Sequence, residues 1–313
     1  MMNTLRFKQL AICYVATASI FSIISHDAVA HTRLEIPVVV EGTTNGHAQV
    51  GKVLNQVVIS HGCPDIAPGT QRQPTYGTSV VFPNAVSYSP VIGINSGSGT
   101  VYTTKPASDF YSPLTGIGQI IRTGGPWRPH NNKADPLGNV DGFWAGGDYY
   151  DQTMSTPVNV PFYTHAMTIN SKSCARSVTF ELAIADFCTV SVPSATAKDH
   201  EVLYWSPIPN FTGVPGSPFG TPAGDPARKI PVGSAYSKYD GYQDVAHTIP
   251  GDGWGSPATL TVTRNVAKNP LPAGCQGNGG AGDDVYVYPS ADQINKEIPV
   301  WSKPDQTGTL YWQ

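Results

Sequence analysis

RSVTFELAIADF, residues 176–187, alternates apolar and other side chains with a period of two. One face of an extended chain takes the larger apolar residues, Val178, Phe180, Leu182 and Ile184. The opposite face takes Thr179, Glu181, Ala183 and Ala185. This pattern predicts a single β-strand with one buried face and one solvent face.

Further short strands are predicted on both sides of this stretch. KVLNQVVI, from Lys52 to Ile59, places Val53, Val57 and Ile59 on one face. The other candidates are residues 78–82, 87–94, 117–122, 202–205, 258–264 and 284–288. We find no sustained helical periodicity, and 32 glycines and 28 prolines provide many turns. Short strands between such turns favour an all-β fold, a β-sandwich.

Residues 206–255 are rich in Pro, Gly, Ser and Asp. Such a segment is either a surface excursion of one unit or a linker to a smaller C-terminal part. We favour one unit, in which residues 31–205 form the core. Residues 206–313 would then be a Gly/Pro-rich excursion followed by C-terminal strands packed on that core.

The first thirty residues resemble a secretory signal peptide. Arg6 and Lys8 precede an apolar run at residues 10–24, and Ala28-Val29-Ala30 supplies small residues for cleavage. The run is shorter than the roughly 20 residues of a membrane span, although an uncleaved anchor is the alternative. We therefore expect a periplasmic or extracellular protein, with no membrane span in the mature chain.

The composition of the mature chain excludes some partners. Without residues 1–30 it has 17 basic and 21 acidic residues, whereas a nucleic-acid partner would call for a basic surface.

Four cysteines remain in the mature chain, Cys63, Cys174, Cys188 and Cys275, which in an exported chain predict two disulfides. Three connectivities are open.

Cleavage after Ala30 would make His31 the first residue. Its α-amine and ring Nδ1 can then chelate one metal ion, and both nitrogens deprotonate readily near neutral pH. Two such nitrogens with a second imidazole suit the tetragonal preference of Cu(II). The alternative is that His31 is only the exposed end of a secreted chain.

His61 is the best candidate for the second imidazole. It follows the strand Lys52–Ile59 in the run ISHGCPD. If residues 32–38 form the first strand, antiparallel pairing would bring the end of the second strand beside the start of the first. The alternative is a hydrogen-bonded histidine in a loop before Gly62.

HTRLEIP at the mature start, the HGC at 61–63, TSVVFPNAVSYSPVIG at 78–93 and FWAG at 143–146 together resemble the YcnI-like periplasmic copper-binding family. The resemblance covers about residues 31–190. It implies a cupredoxin-like, immunoglobulin-like β-sandwich that binds one Cu(II) through a terminal histidine brace. The implied ligands are His31 and His61, and Trp144 would lie beside the metal.

The resemblance also suggests that Cys63 pairs with Cys188, and Cys174 would then take Cys275. The sequence departs from the family at residues 38–51, where an insertion carries His47, a competing ligand. His130, close to Trp127, is another histidine that could bind metal, although a packed loop is the alternative.

Three functions compete. The leading one is a secreted copper-binding chaperone or store, not an enzyme, which exchanges copper with a transport partner protein. The second is a polysaccharide-active copper monooxygenase, which also begins with histidine. The third is a structural or adhesive surface protein without metal. Motifs of serine hydrolases, phosphate loops and zinc proteases do not occur in the sequence.

Overall fold

A computed structural model describes residues 32–43, 52–60, 75–112, 121–122, 127, 130–150, 157–190, 200–205, 253–254, 258–290, 293, 296–298, 300–301 and 310–312. The described chain is mostly β-structure, which confirms the predicted all-β class. The predicted signal peptide and nearly all of the segment 206–255 lie outside these residues. In the described part, no helix is long and apolar enough to cross a bilayer.

The strands are short and separated by turns, as the glycine and proline content predicts. They are β1 (Arg33–Leu34), β2 (Val38–Val40), β3 (Lys52–Ile59), β4 (Thr75–Val81), β5 (Val91–Asn95), β6 (Thr100–Thr103), β7 (Ile121–Arg122), β8 (His130–Ala134), β9 (Val140–Tyr150), β10 (Val158–His165), β11 (Ala175–Glu181), β12 (Ala183–Val190), β13 (His200–Trp205), β14 (Gly253–Trp254), β15 (Thr259–Thr263), β16 (Asp283–Tyr288), β17 (Val300–Trp301) and β18 (Leu310–Trp312). A 3₁₀ turn covers Ala107–Asp109, and a single helical turn covers Gly277–Gly280.

Three sheets carry most of these strands. Sheet 1 has the order β1-β3-β10-β7, sheet 2 the order β2-β15-β11-β16-β5-β6, and sheet 3 the order β14-β13-β12-β4-β9-β8. Strands β17 and β18 pair separately. Most neighbours are antiparallel, while β11–β16, β15–β2 and β13–β14 are parallel.

Sheets 1 and 3 meet through aromatic side chains. The ring of Phe162 on β10 lies 5.7 Å from Phe143 on β9 and 5.6 Å from Phe82, which follows β4, measured between centroids. Sheet 2 joins the same core through Phe180, whose ring meets Tyr111 edge-on at 5.0 Å. These fully or almost fully buried rings give three sheets one continuous apolar core.

The stretch 176–187 is not one half-buried strand. The chain leaves sheet 2 after Glu181 and enters sheet 3 at Ala183, with Leu182 between them. Both faces are covered, since Ala183 and Ala185 are as fully buried as Ile184. Ala185 pairs with Ser79, whose hydroxyl donates to the carbonyl of Ile298, so the C-terminal segment covers the face predicted to meet solvent.

The C-terminal part contributes strands to the sheets rather than only packing on them. Strand β15 lies between β2 and β11, and β16 lies between β11 and β5. Sheet 2 is therefore incomplete without strands that lie beyond residue 205. A disulfide between Cys174 and Cys275 joins the two parts, with their Cα atoms 5.5 Å apart, which confirms that predicted pair. The Cys63–Cys188 pairing stays a prediction, because Cys63 lies outside the described residues.

Candidate metal centre at the start of the first strand

The predicted antiparallel pairing of the first strand with Lys52–Ile59 is confirmed, but the expected strand 32–38 is not one element. Only Arg33–Leu34 pairs with β3, whereas Val38–Val40 belongs to sheet 2. Strands β1 and β3 are antiparallel, with Arg33 opposite Val58 and Leu34 opposite Val57. Continuing this register places Thr32 across from Ile59, the last residue of β3. The two segments that lead to His31 and His61 therefore meet at one edge of sheet 1.

A buried carboxylate anchors the start of β1. Thr32 is 2% exposed, and its hydroxyl donates a hydrogen bond to Oδ2 of Asp186 on β12. The hydroxyl of Thr78 on β4 donates to Oδ1 of the same carboxylate at 2.7 Å. Because Thr32 precedes sheet 1 and Asp186 belongs to sheet 3, this bond ties the start of the first strand to the opposite sheet.

The predicted metal ligands are beyond what the structure describes. His31, His61 and the alternative ligand His47 all lie outside the described residues. His130 opens β8, but its side chain is not described. Among the described residues, no group of three or more His, Cys, Asp or Glu side chains could hold a metal ion. The assignment of His31 and His61 as ligands therefore stays a prediction.

Trp144 lies on the other face of sheet 3. It pairs with Ser79, whereas the next residue, Ala145, pairs with Thr78, and successive residues of a strand face opposite sides. The Trp144 ring packs over the backbone of Gly77 and Gly146, where an added Cβ would come within 2.3 and 2.5 Å of it. The structure thus brings Trp144 together with two glycines and not with Thr32.

The sequence reasoning missed a buried acid cluster, formed by Asp141 and Glu297 with their partners Asn84 and Gln293. Gln293 Nε2 donates to Asp141 Oδ2 at 3.0 Å and to Glu297 Oε2 at 3.1 Å. Asn84 Nδ2 also donates to Asp141 Oδ2, at 2.8 Å. In the described part of the chain, no donor reaches the remaining oxygens, Asp141 Oδ1 and Glu297 Oε1.

Burial governs the charge of this cluster. It raises the pKa of Asp141 to about 9, with the negative charge of Glu297 as the next cause, and it also raises the pKa of Glu297. Burial lowers the pKa of the nearby Lys133 to about 8. At neutral pH the two carboxyls therefore retain at least one proton, and the cluster holds Gln293 and Glu297 against Asp141 of sheet 3. A Glu in the polar run NKEIP gives no local signal of burial.

The comparisons with known proteins add no relative. No protein-family model, no curated protein and no solved structure matches the chain. The resemblance to the YcnI-like family therefore rests on the short motifs of the sequence.

Proposed function

We propose that this protein is an exported copper-binding protein that carries or stores one Cu(II). The copper is held by the α-amine and the ring of a mature N-terminal His31, with His61 as the third nitrogen ligand. Copper is cargo rather than a catalytic centre, and a copper-transport protein receives it. A periplasmic or extracellular location follows from the predicted signal peptide, and the Cys174–Cys275 disulfide is weakly consistent with it.

The pairing of β1 with β3 is the observation that carries the proposal. Arg33 lies opposite Val58, so the residues just before β1 and just after β3 belong to the same edge. A chelating N-terminal residue needs its partner imidazole at that edge, and His61 is two residues beyond Ile59 in the chain. The two histidines can meet only if β1 and β3 pair in this antiparallel arrangement, which is the arrangement expected from the sequence.

The bond between Thr32 and Asp186 gives further support. A free chain terminus is normally mobile, and a mobile ligand loses conformational entropy when it binds a metal. Thr32 is buried and fixed to sheet 3, so only the residue before it has to be ordered. This arrangement favours binding through a terminal residue.

The proposal also includes a fold class that is more specific than all-β. Sheets 1 and 3 face each other through Phe162, Phe143 and Phe82, as the two layers of a sandwich do. We infer a cupredoxin-like, immunoglobulin-like β-sandwich, to which sheet 2 adds the C-terminal strands. Trp144 faces away from Thr32 and is not included in the proposed copper site.

The test is a Cu(II) titration of the secreted protein, after intact mass has shown whether the mature chain begins at His31. We expect an EPR spectrum with nitrogen hyperfine structure, lost in His31→Ala and weakened in His61→Ala. His165→Ala is the matched control, because His165 pairs with Lys52 at the other end of β3. Seven residue steps along a strand place it about 23 Å from Ile59.

Two results would overturn the proposal. One is a mature chain that begins at any other residue. The other is a variant with an extra N-terminal Ala that binds Cu(II) as tightly as the mature form, because that variant cannot form the terminal chelate. Oxidation of chitin or cellulose by the copper-loaded protein with a reductant would instead favour a monooxygenase.

A further inference from the structure

A short C-terminal strap crosses the outer face of sheet 3. It comprises the described residues of one segment, Ser290, Gln293, Lys296, Glu297 and Ile298. The carbonyl of Ile298 accepts a hydrogen bond from the hydroxyl of Ser79 on β4 at 2.8 Å. The same carbonyl lies 3.5 Å from Nζ of Lys133 on β8, so the strap contacts both a central strand and the edge strand of this sheet.

Polar side chains provide most of the contact between the strap and sheet 3. Gln293 Oε1 accepts from the backbone N–H of Asn84 at 3.0 Å, and its Nε2 donates to the carbonyl of Phe82 at 2.7 Å. Among the described residues of the strap, Ile298 is the one buried apolar side chain, and it lies outside the core that joins the three sheets. A segment with so few apolar contacts should open before the sheets do.

The contact between Asp141 and Glu297 needs a proton. Both side chains are fully buried, and Gln293 Nε2 donates to one oxygen of each. The two carboxyl groups also hydrogen-bond to each other. Two ionised carboxylates only accept hydrogen bonds, so one of the two must be protonated. Asp141 Oδ1 and Glu297 Oε1, which no described donor reaches, can take this proton without the loss of another bond.

We propose that the C-terminal strap is a pH-sensitive latch, closed by the proton that Asp141 and Glu297 share. When the strap opens, both carboxyls meet water and ionise, so opening releases this proton. The face that opening uncovers includes Ser79 and its cross-strand neighbour Ala185. The latch does not depend on the proposed copper site, because none of its residues is a proposed ligand.

Opening should become more favourable as pH rises. An unperturbed aspartate titrates near pH 4, whereas burial and then the charge of Glu297 raise the pKa of Asp141 to about 9. Between these two values the closed strap holds one more proton than the open strap. The equilibrium constant for opening should therefore increase about tenfold per pH unit.

The charged groups beside the pair leave this sign unchanged between about pH 5 and about pH 8. Burial lowers the pKa of Lys133 to about 8, so Lys133 opposes the effect only above that pH. For Asp135, hydrogen bonds outweigh burial and lower its pKa, so it stays ionised in this window. The other described neighbours are Tyr88, which hydrogen-bonds to Glu297, and Lys296, whose Nζ lies 5.7 Å from the Tyr88 ring centroid.

The experiment measures amide hydrogen exchange in the full chain from about pH 5 to about pH 8, with EDTA present so that copper plays no part. After correction for the intrinsic effect of pH, the protection factors of the strap amides should fall about tenfold per pH unit. The amides of Val160 and Phe162 on β10, which lie in the core, should stay more protected than the strap at each pH.

Two variants remove the titrating proton. Glu297→Gln replaces it with an amide N–H that does not titrate, so the protection of the strap should be the same at each pH. Asp141→Asn should remove the pH dependence in the same way. Asp109→Asn is the matched control, because Asp109 is exposed and the variant should keep the tenfold change.

Three results would each overturn the proposal. The first is a protection factor of the wild-type strap that stays constant over this pH range. The second is a pH dependence that persists in both Glu297→Gln and Asp141→Asn. The third is a strap as well protected as Phe162 at every pH, because the strap would then open only when the whole chain unfolds.

Discussion

The bond from Thr32 to Asp186 offers a direct test of whether the fold prepares the N-terminus for copper. Thr32→Val removes the hydroxyl that donates to Asp186 and keeps the shape of the side chain. Leaving a buried oxygen of Asp186 without its donor costs about 1–3 kcal/mol, so the free energy of unfolding should fall by that amount. Thr78→Val removes the other hydroxyl bond to the same carboxylate and should cost a similar amount.

The two variants should differ in their affinity for Cu(II). Thr32 is next to His31 in the chain, and freeing one residue from its ordered backbone restores about 1–2 kcal/mol of conformational entropy that binding must remove. Thr32→Val should therefore bind Cu(II) about 5–30-fold more weakly. Thr78 lies on β4 and should leave the dissociation constant unchanged.

The assay pairs urea unfolding with a Cu(II) titration against a competing chelator, after intact mass has shown that each variant is cleaved before His31. Thr32 and Thr78 are buried to a similar degree, at 2% and 0% exposure, so a difference in burial does not explain a difference in copper affinity. Equal copper affinity in the two variants would refute the idea that the Thr32–Asp186 bond prepares the site.

Three further predictions concern the stability of the fold. The raised pKa of Asp141, about 9, means that the folded state holds an extra proton between about pH 4 and about pH 9. Stability should therefore fall as pH rises through this window, by at most about 1.4 kcal/mol per pH unit, and Asp141→Asn should flatten the profile measured by urea unfolding. Replacing Cys174 and Cys275 by Ala opens a loop with a sequence separation of 101 and should cost about 4–5 kcal/mol in the same assay. Tyr111→Phe should stabilise the fold by about 1 kcal/mol, because the Tyr111 hydroxyl is buried without a described hydrogen-bond partner.

Each of these has a result that would contradict it. A pH profile that keeps its slope in Asp141→Asn would mean that another group takes up the proton. The double alanine variant should be as stable as the wild type after reduction. If it is as stable as the oxidised wild type, the disulfide does not stabilise the fold. A loss of more than about 1 kcal/mol in Tyr111→Phe would show that its hydroxyl has a stabilising partner.

Local pattern predicted only part of the strands. It missed β8, β9 and β10, although β10 alternates between buried and less buried residues. The bounds of Lys52–Ile59 were predicted correctly, because an alternating run is flanked by Gly51 on one side and the SHG turn residues on the other. The antiparallel pairing of this strand with β1 was also predicted correctly. Both are consequences of residues that are close in the chain.

Prediction failed where distant segments decide the environment. The alternation in residues 176–187 indicated a solvent face, but Ile298, more than a hundred residues later, covers part of it. The buried state of Glu297 and Asp141 depends on the same C-terminal segment, and no local pattern reveals it. For the proposed metal site, the sequence supplied the strand pairing that the structure shows and the ligands His31 and His61 that stay a prediction. The bond from Thr32 to Asp186 depends on a contact between sheets that no local pattern reveals.

The position of β15 and β16 inside sheet 2 has a consequence for how the chain folds during synthesis. Until β16 leaves the ribosome, β11 and β5 have no strand between them, and β2 lacks β15 in the same way. Pairings between such remote segments give a high contact order, and proteins of that kind fold slowly. Sheet 2 therefore cannot close until β15 and β16 have been made, and the export proposed above would require a chain that is still unfolded at that stage.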